Sequence, residues 1–178
     1  MKTTHFDVGA NAVVQLGENL YKNTYGVLIE YITNSYDADA SFVKINIDRI
    51  KGTVTIEDDG VGMTLDELGD NFLKVGNNRR KKYITKTTDK GRLVTGRKGF
   101  GKLACFGLFK SFKVDTYKNN QKSTLIVTSK LNEDDEFEYE ALIDEESTPI
   151  QHSNGTIIYL SENTSEIVDN ESLSESIA

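Results

Sequence analysis

The spacing of apolar positions divides the chain into segments of two periods. Residues 42–50, "FVKINIDRI", alternate apolar and polar side chains. Lys51-Gly52 interrupts the alternation and "TVTIEDD" (53–59) resumes it, which predicts a β-hairpin. Residues 11–22 and, with a cleaner period, 25–38 predict helices. In the second, Leu28, Ile29, Ile32 and Tyr36 are expected to face a core, opposite a polar stripe. "TLDELGDNFLKV" (64–75) predicts a helix that starts at Thr64, with Glu67 three residues on to complete a capping box. Residues 76–98 are polar and basic and carry no period, so they predict a long loop, a length that in a compact domain usually serves a function or is disordered. A helix over about 100–110 follows, then strands over 111–117, 123–130, 136–143 and 155–161. The Ser/Glu/Asn-rich end after about residue 162 is expected to fray. Partial segregation of helices and strands predicts an α+β fold, a largely antiparallel sheet covered by helices.

Composition narrows this picture. A length of 178 residues with 37% hydrophobic and 28% charged positions suits one globular domain with a sizeable core. No apolar run approaches the ~20 residues of a membrane-spanning helix, and "MKTTHFDVGANAVV" lacks a signal segment. The single cysteine, Cys105, has no partner for an internal disulfide and is expected to be a buried thiol. A reducing, cytoplasmic setting without membrane contact is therefore expected. The net charge of −7 argues against a general nucleic-acid binder, but it is unevenly spread. Ten of the 21 Lys and Arg residues lie between Arg79 and Lys102, and none lies after Lys130. That basic run is either a solvated loop or a positive loop near a polyphosphate.

Three stretches carry candidate chemistry. In "EYITNSYDADA" (30–40), Glu30, Asn34 and Asp37 share one narrow helical stripe at about 100° per residue. The plain alternative is an amphipathic helix with a wet face. However, the stripe has no matching cation, and Asn is a poor helix former. The Asn34 amide oxygen suits Mg²⁺, which prefers hard oxygen ligands beside waters and phosphates. The Glu30 carboxylate suits deprotonation of an attacking water. In "IEDDGVGM" (56–63), Asp58 ends a strand as an acceptor-only carboxylate fit for the exocyclic amine of adenine. A guanine carbonyl at that place would be rejected. Gly60 and Gly62 would let the backbone approach a flat base and Met63 would pack on its face; the alternative is a tight acidic turn. In "GRKGFGK" (96–102), a glycine-rich turn feeds the apolar segment "LACFGLF", presenting backbone N–H groups at a helix N-terminus, a ready anion site. The stretch comes within one residue of a P-loop. It fails as one because Leu103 stands where Ser or Thr should hold Mg²⁺, because a basic loop precedes it in place of a buried strand, and because Asn34 already offers a metal ligand.

Taken in order, these stretches resemble the GHKL ATPases, the superfamily of gyrase B, the ninety-kilodalton heat-shock chaperones, sensor histidine kinases and MutL, with MORC proteins as relatives. Glu30, Asn34 and Asp37 resemble its N box, "DDGVGM" its DxGxG box, Gly96, Gly99 and Gly101 its GxxGxG box, and "GTIIYL" (155–160) its late Gly-Thr strand. The boxes span about residues 26–160 and lie nearest the MutL, MORC and heat-shock side. The resemblance implies a Bergerat fold, an α+β two-layer sandwich whose mixed, mostly antiparallel sheet lies under helices. The domain would cover residues 1–165, with an ATP lid over about 76–98 and an acidic tail or linker over 166–178. It also implies Glu30 as general base, Asn34 as Mg²⁺ ligand, and Asp37 as a structural or charge partner of a basic group. Asp58 would read adenine with Thr156, and Asn71 would stand near the nucleotide. Backbone N–H groups of residues 99–103, from Gly99, Phe100, Gly101, Lys102 and Leu103, would cradle the phosphates. Lys102 would either touch a phosphate or point to solvent.

The expected activity is Mg²⁺-dependent binding and slow hydrolysis of ATP to ADP by the N-terminal module of a longer switch protein. Lid closure would drive an ATP-dependent homodimer. A client protein or nucleic acid would be engaged through a following region, which in these branches also supplies a cation to the γ-phosphate. The alternatives are a histidine-kinase-type domain that phosphorylates a partner protein, and a non-enzymatic nucleic-acid-binding module that uses the basic run.

Overall fold

The computed structural model describes residues 2–5, 24–72, 87–95, 105, 108–131, 137–145 and 151–161. The predicted helix over 11–22, most of that over 100–110 and the end after 161 lie outside these residues.

Among the described residues, seven strands form one sheet: β1 (Lys2–His5), β2 (Val43–Asp48), β3 (Thr53–Asp58), β4 (Ser111–Lys118), β5 (Gln121–Leu131), β6 (Phe137–Glu145) and β7 (Gly155–Ser161). Their order is β1-β6-β5-β4-β7-β3-β2, and every ladder is antiparallel. The hairpin and the four later strands fall where the alternation places them. Strand β1 carries too short a pattern to be read from sequence. It pairs through its backbone with β6, Lys2 opposite Ile143 and His5 opposite Glu140.

Helices α1 (Thr24–Asp37) and α2 (Leu65–Phe72) cover one face of the sheet, giving the expected two layers. The core joins Val27 and Tyr31 of α1 and Leu68 of α2 to Ile56, Val114, Leu125, Val127, Ile158 and Leu160 of the sheet. Cys105 is fully buried in this core, and its burial pushes the thiol up to about 12, so the expected inert thiol is what is found. The capping box also forms. The Thr64 N–H donates to Glu67 Oε2 at 2.9 Å, and the Glu67 N–H reaches Thr64 Oγ1 at 3.4 Å. Among the described residues, no helix is long and apolar enough to cross a membrane.

Helix α1 departs from its expected orientation. The residues that meet the core are Val27, Tyr31 and Ser35, with Leu28 packed at their edge. Ile29, Ile32 and Tyr36, expected inside, are 40–45% exposed. The helix therefore carries three stripes: one buried, one polar and half-buried (Glu30, Asn34, Asp37), and one apolar and exposed. A sequence with two apolar stripes has a clear period without revealing which stripe faces in.

Candidate functional site

The site is assembled where β3 and β7 end against the C-terminal half of α1. Asp58, the last residue of β3, stands opposite Thr156 in the β3–β7 ladder and opposite Val43 in the β2–β3 ladder. Its carboxylate points toward the helix layer. Ser35 Oγ lies 2.7 Å from Asp58 Oδ2 and 3.1 Å from the Tyr31 carbonyl oxygen, and its single proton favours the charged acceptor. The Gly60 N–H donates to Asp58 Oδ1 at 2.9 Å. Burial pushes the Asp58 carboxyl above the ordinary aspartate value; the hydrogen bonds from Ser35 and Gly60 oppose that shift, and the neighbouring Asp59 charge adds to it. A backbone hydrogen bond from Thr156 also opposes the shift.

The turn after Asp58 is stitched to the end of α1. The Val61 N–H donates to the Ala38 carbonyl at 2.9 Å, and Asp59 Oδ1 accepts from the N–H groups of Ser41 and Phe42 at 2.6 and 3.0 Å. Two glycines are required here. Gly62 has φ 64°, and a Cβ on it would run into the carbonyl oxygen of Tyr117. A Cβ on Gly155 would run into the carbonyl oxygen of Asp58 itself. Thr116, which sequence reasoning did not single out, ties these pieces together. Its buried hydroxyl accepts from the Met63 N–H at 2.9 Å, lies 3.2 Å from the Gly155 carbonyl and lies 3.1 Å from Thr156 Oγ1. Its only sequence signal is one threonine in a β-strand pattern, which is no signal. Met63, expected on the face of a base, also packs against the core.

Glu30, Asn34 and Asp37 lie on one half-buried stripe of α1, as expected. Asp37 Oδ1 accepts from both the N–H and the hydroxyl of Thr95, at 2.9 and 2.8 Å. Asn34 is adjacent in sequence to Ser35, so the proposed metal ligand and the hydroxyl that holds Asp58 share one turn. A magnesium ion fits this donor set only if phosphates and water supply most of its oxygens. Among the described residues no cluster of three His, Cys, Asp or Glu could hold a metal.

Of the stretch expected to form a lid, residues 87–95 are described. Thr87 and Leu93 form an isolated bridge, and the turn they close grips the segment after α1. Thr88 Oγ1 donates to Asp39 Oδ1 at 2.5 Å and the Lys90 N–H to Asp39 Oδ2 at 3.1 Å. Lys90 Nζ donates to the Asp39 carbonyl at 2.7 Å, and Arg92 Nη1 to that of Ala40 at 2.7 Å. Burial alone would raise the Asp39 carboxyl; the Thr88 and Lys90 hydrogen bonds and the nearby Arg92 and Lys90 charges outweigh it and hold it below the ordinary value. Two cations of the basic run are thus spent on main-chain carbonyls and on Asp39.

The remaining sequence candidates are placed as follows. Asn71 stands in the last turn of α2 by its backbone. Gly96, Gly99, Phe100, Gly101, Lys102 and Leu103 lie outside the described residues, so the reading of the glycine run stays an expectation. A cavity of about 80 Å³ is lined by Asp58 and Thr156 together with Phe42, Tyr117 and His152, and one of about 300 Å³ by Ile32, Tyr36, Phe42 and Arg92; neither reaches Glu30 or Asn34.

Comparison with known proteins supplies a family for this geometry. The family described as "Histidine kinase-, DNA gyrase B-, and HSP90-like ATPase" matches residues 21–157. Two curated relatives also match. One is a candidate type II restriction enzyme, HgiDII, of Herpetosiphon aurantiacus, 34% identical over 66% of this chain and 18% of its own length. The other is the TNF receptor-associated protein 1 homolog, mitochondrial, of Dictyostelium discoideum, 30% identical over 57% of this chain and 17% of its own. The match thus spans under a fifth of either relative.

Proposed function

The chain belongs to the histidine kinase-, DNA gyrase B- and HSP90-like ATPases, and from that premise we propose that it is a Mg²⁺-dependent ATP-binding and slowly ATP-hydrolysing module of a longer switch protein. One observation carries the reading most directly. The half-buried Asp58 carboxylate is held by Ser35 of the same helix that presents Glu30, Asn34 and Asp37 on its neighbouring stripe.

Asp58 accepts from the exocyclic amine of adenine, while Thr156, beside it in the ladder, offers a second polar contact to the base. Asn34 supplies an oxygen to the magnesium ion that accompanies the triphosphate; the ion neutralises phosphate charge when bound. Backbone N–H groups of residues 99–103 cradle the phosphates. Glu30 takes a proton from a water that attacks the γ-phosphorus. The new P–O bond forms as the bond to the bridging oxygen breaks, and ADP departs with the electron pair. A cation supplied from another part of the longer protein would add to the electrostatic stabilisation of the transition state. In the longer protein, nucleotide state would govern a lid over 76–98 and a homodimer. The restriction-enzyme name of one relative favours nucleic acid over a protein client as what that protein engages.

The test is base recognition. Asp58→Ala removes an acceptor worth about 1.5–3 kcal/mol as a charge-assisted hydrogen bond, so calorimetry on the folded variant should find ATP binding lost. Wild-type affinity in that variant would remove Asp58 from the site.

A further inference from the structure

Helix α1 ends in a way that asks for glycine. The Asp39 N–H bonds the Tyr36 carbonyl at 3.1 Å and the Ala40 N–H bonds the Ser35 carbonyl at 3.0 Å, the paired bonds of a Schellman motif. Its left-handed position is usually glycine, yet here it is Asp39, at φ 59° and only 5% exposed. An aspartate tolerates this backbone but gains nothing from it locally. Its carboxylate is instead occupied from outside, by the Thr88 hydroxyl and the Lys90 N–H, with Arg92 Nε at 3.9 Å from Oδ1. Lys90 Nζ also reaches Ser41 Oγ at 3.2 Å, and Arg92 lies over the Tyr36 ring at 5.0 Å while bonding the Tyr36 and Ala40 carbonyls. Each of these contacts fixes residues 87–95 against the end of α1.

The far end of that segment is Thr95, bonded twice to Asp37 on the stripe of Glu30 and Asn34. The next residue in sequence is Gly96, which opens the glycine run. Thr95, the residue before that run, is therefore held on the polar face of α1, and Asp39 is the group around which the rest of the segment is held.

We propose that Asp39 is a positioning residue for the nucleotide's phosphates: by clasping residues 87–95 it fixes Thr95, the residue that precedes the glycine run, relative to Asn34. This rests on the reading of the site as an ATP site. The inference separates the two parts of the ligand. The base is held by Asp58 on the sheet, so adenosine should not sense Asp39, whereas ATP should. Misplacement by about an ångström at a phosphate contact can cost up to 10²-fold.

Asp39→Gly is the informative variant, because glycine suits the backbone and only the carboxylate is lost. Thr88→Val removes one donor to the carboxylate and leaves the helix end untouched. Calorimetry with ATP·Mg²⁺ and with adenosine, beside a thermal melt, reads the outcome. The expected result is ATP affinity weaker by about tenfold in Asp39→Gly and by less in Thr88→Val, with adenosine within about twofold of wild type and the fold retained. Equal loss of both ligands, or no change in ATP affinity, overturns the role of Asp39 while leaving the ATP site standing. Wild-type protein that binds neither ligand overturns the ATP reading itself.

Discussion

The two ends of the proposed nucleotide site are built by different means. At the base end, Asp58 and Thr156 face each other on one rung of a ladder, and the glycines behind them interlock with main-chain carbonyls. Their positions follow from the sheet. At the phosphate end, residues 87–95 have a single bridge of their own, between Thr87 and Leu93. They are held by side chains: Thr88, Lys90 and Arg92 on the Asp39 turn, and Thr95 on Asp37. Backbone ladders resist piecemeal loosening, whereas a clasp of side-chain bonds, each worth about 0.5–1.5 kcal/mol net, can be weakened one bond at a time. A rigid base platform beside an adjustable phosphate end is what a switch that responds to hydrolysis would need.

The largest expected effect separates chemistry from both kinds of holding. Glu30 lies one helical turn from Asn34 on the half-buried stripe of α1, where a water could stand between it and a γ-phosphate, so Glu30→Ala should keep ATP·Mg²⁺ bound while turnover falls by about 10²–10⁴-fold, the usual contribution of a positioned base. Turnover at saturating ATP, read beside a direct binding measurement, checks this. Unchanged turnover would mean that another group activates the water or that the phosphate passes to a protein acceptor. Binding lost together with turnover would make Glu30 part of the scaffold.

Next in size is a change confined to the base end. Gly155→Ala places a methyl group against the Asp58 carbonyl, a main-chain atom that cannot turn aside. Overpacking of this kind costs about 1–3 kcal/mol, and it displaces the strand end that carries Asp58. Chemical denaturation should show the loss, and adenosine and ATP should weaken together. That pattern is the converse of the one expected for Asp39→Gly. If Gly155→Ala weakened ATP alone, the division of the site into two independently held ends would fail.

This contrast also explains what could be read from sequence. The base end is local in the chain: a strand, an acidic pair and two spaced glycines in eight residues, so Asp58, Gly60 and Gly62 were visible as one motif. The hairpin, α1, the capping box and the later strands were likewise visible because each signal lies within its own element. The phosphate-end clasp joins residues about 50 apart, Asp39 to Thr88 and Lys90, and within a basic run each cation looks solvated. Thr116 was invisible for the same reason, since its partners Met63 and Gly155 lie 53 and 39 residues away. Strand β1 gave no signal because an edge of four residues is specified by the β6 backbone it joins. The inward face of α1 was misread because the choice between two apolar stripes is made by the sheet beneath.

The smallest effect, acidification, sharpens the comparison further, because the carboxylates at the two ends shift in opposite directions. Asp58 is raised by burial beyond what Ser35 and Gly60 offset; at Asp39 burial is outweighed by the donors and cations of the clasp, and the group is lowered. Falling pH should therefore protonate Asp58 first. A raised carboxyl binds its proton more tightly folded than unfolded, so this step does not weaken the fold; between the unfolded and folded values stability rises slightly as pH falls. Asp39 has the opposite sign. Its contribution is complete above the unfolded value and disappears only as pH falls through its lowered folded value. In the interval between the two, the protein should keep its clasp and its fold while the acceptor for adenine is gone. Carboxyl-carbon NMR titration of the ligand-free protein reads both groups directly and avoids the titration of the nucleotide itself. The expected order is an Asp58 midpoint above the ordinary aspartate value and an Asp39 midpoint below it, with amide protection at Lys90 persisting after Asp58 has titrated. The reverse order would mean that the clasp, and not the sheet end, is the part that acid releases first, and the assignment of rigidity to the base end would have to be exchanged.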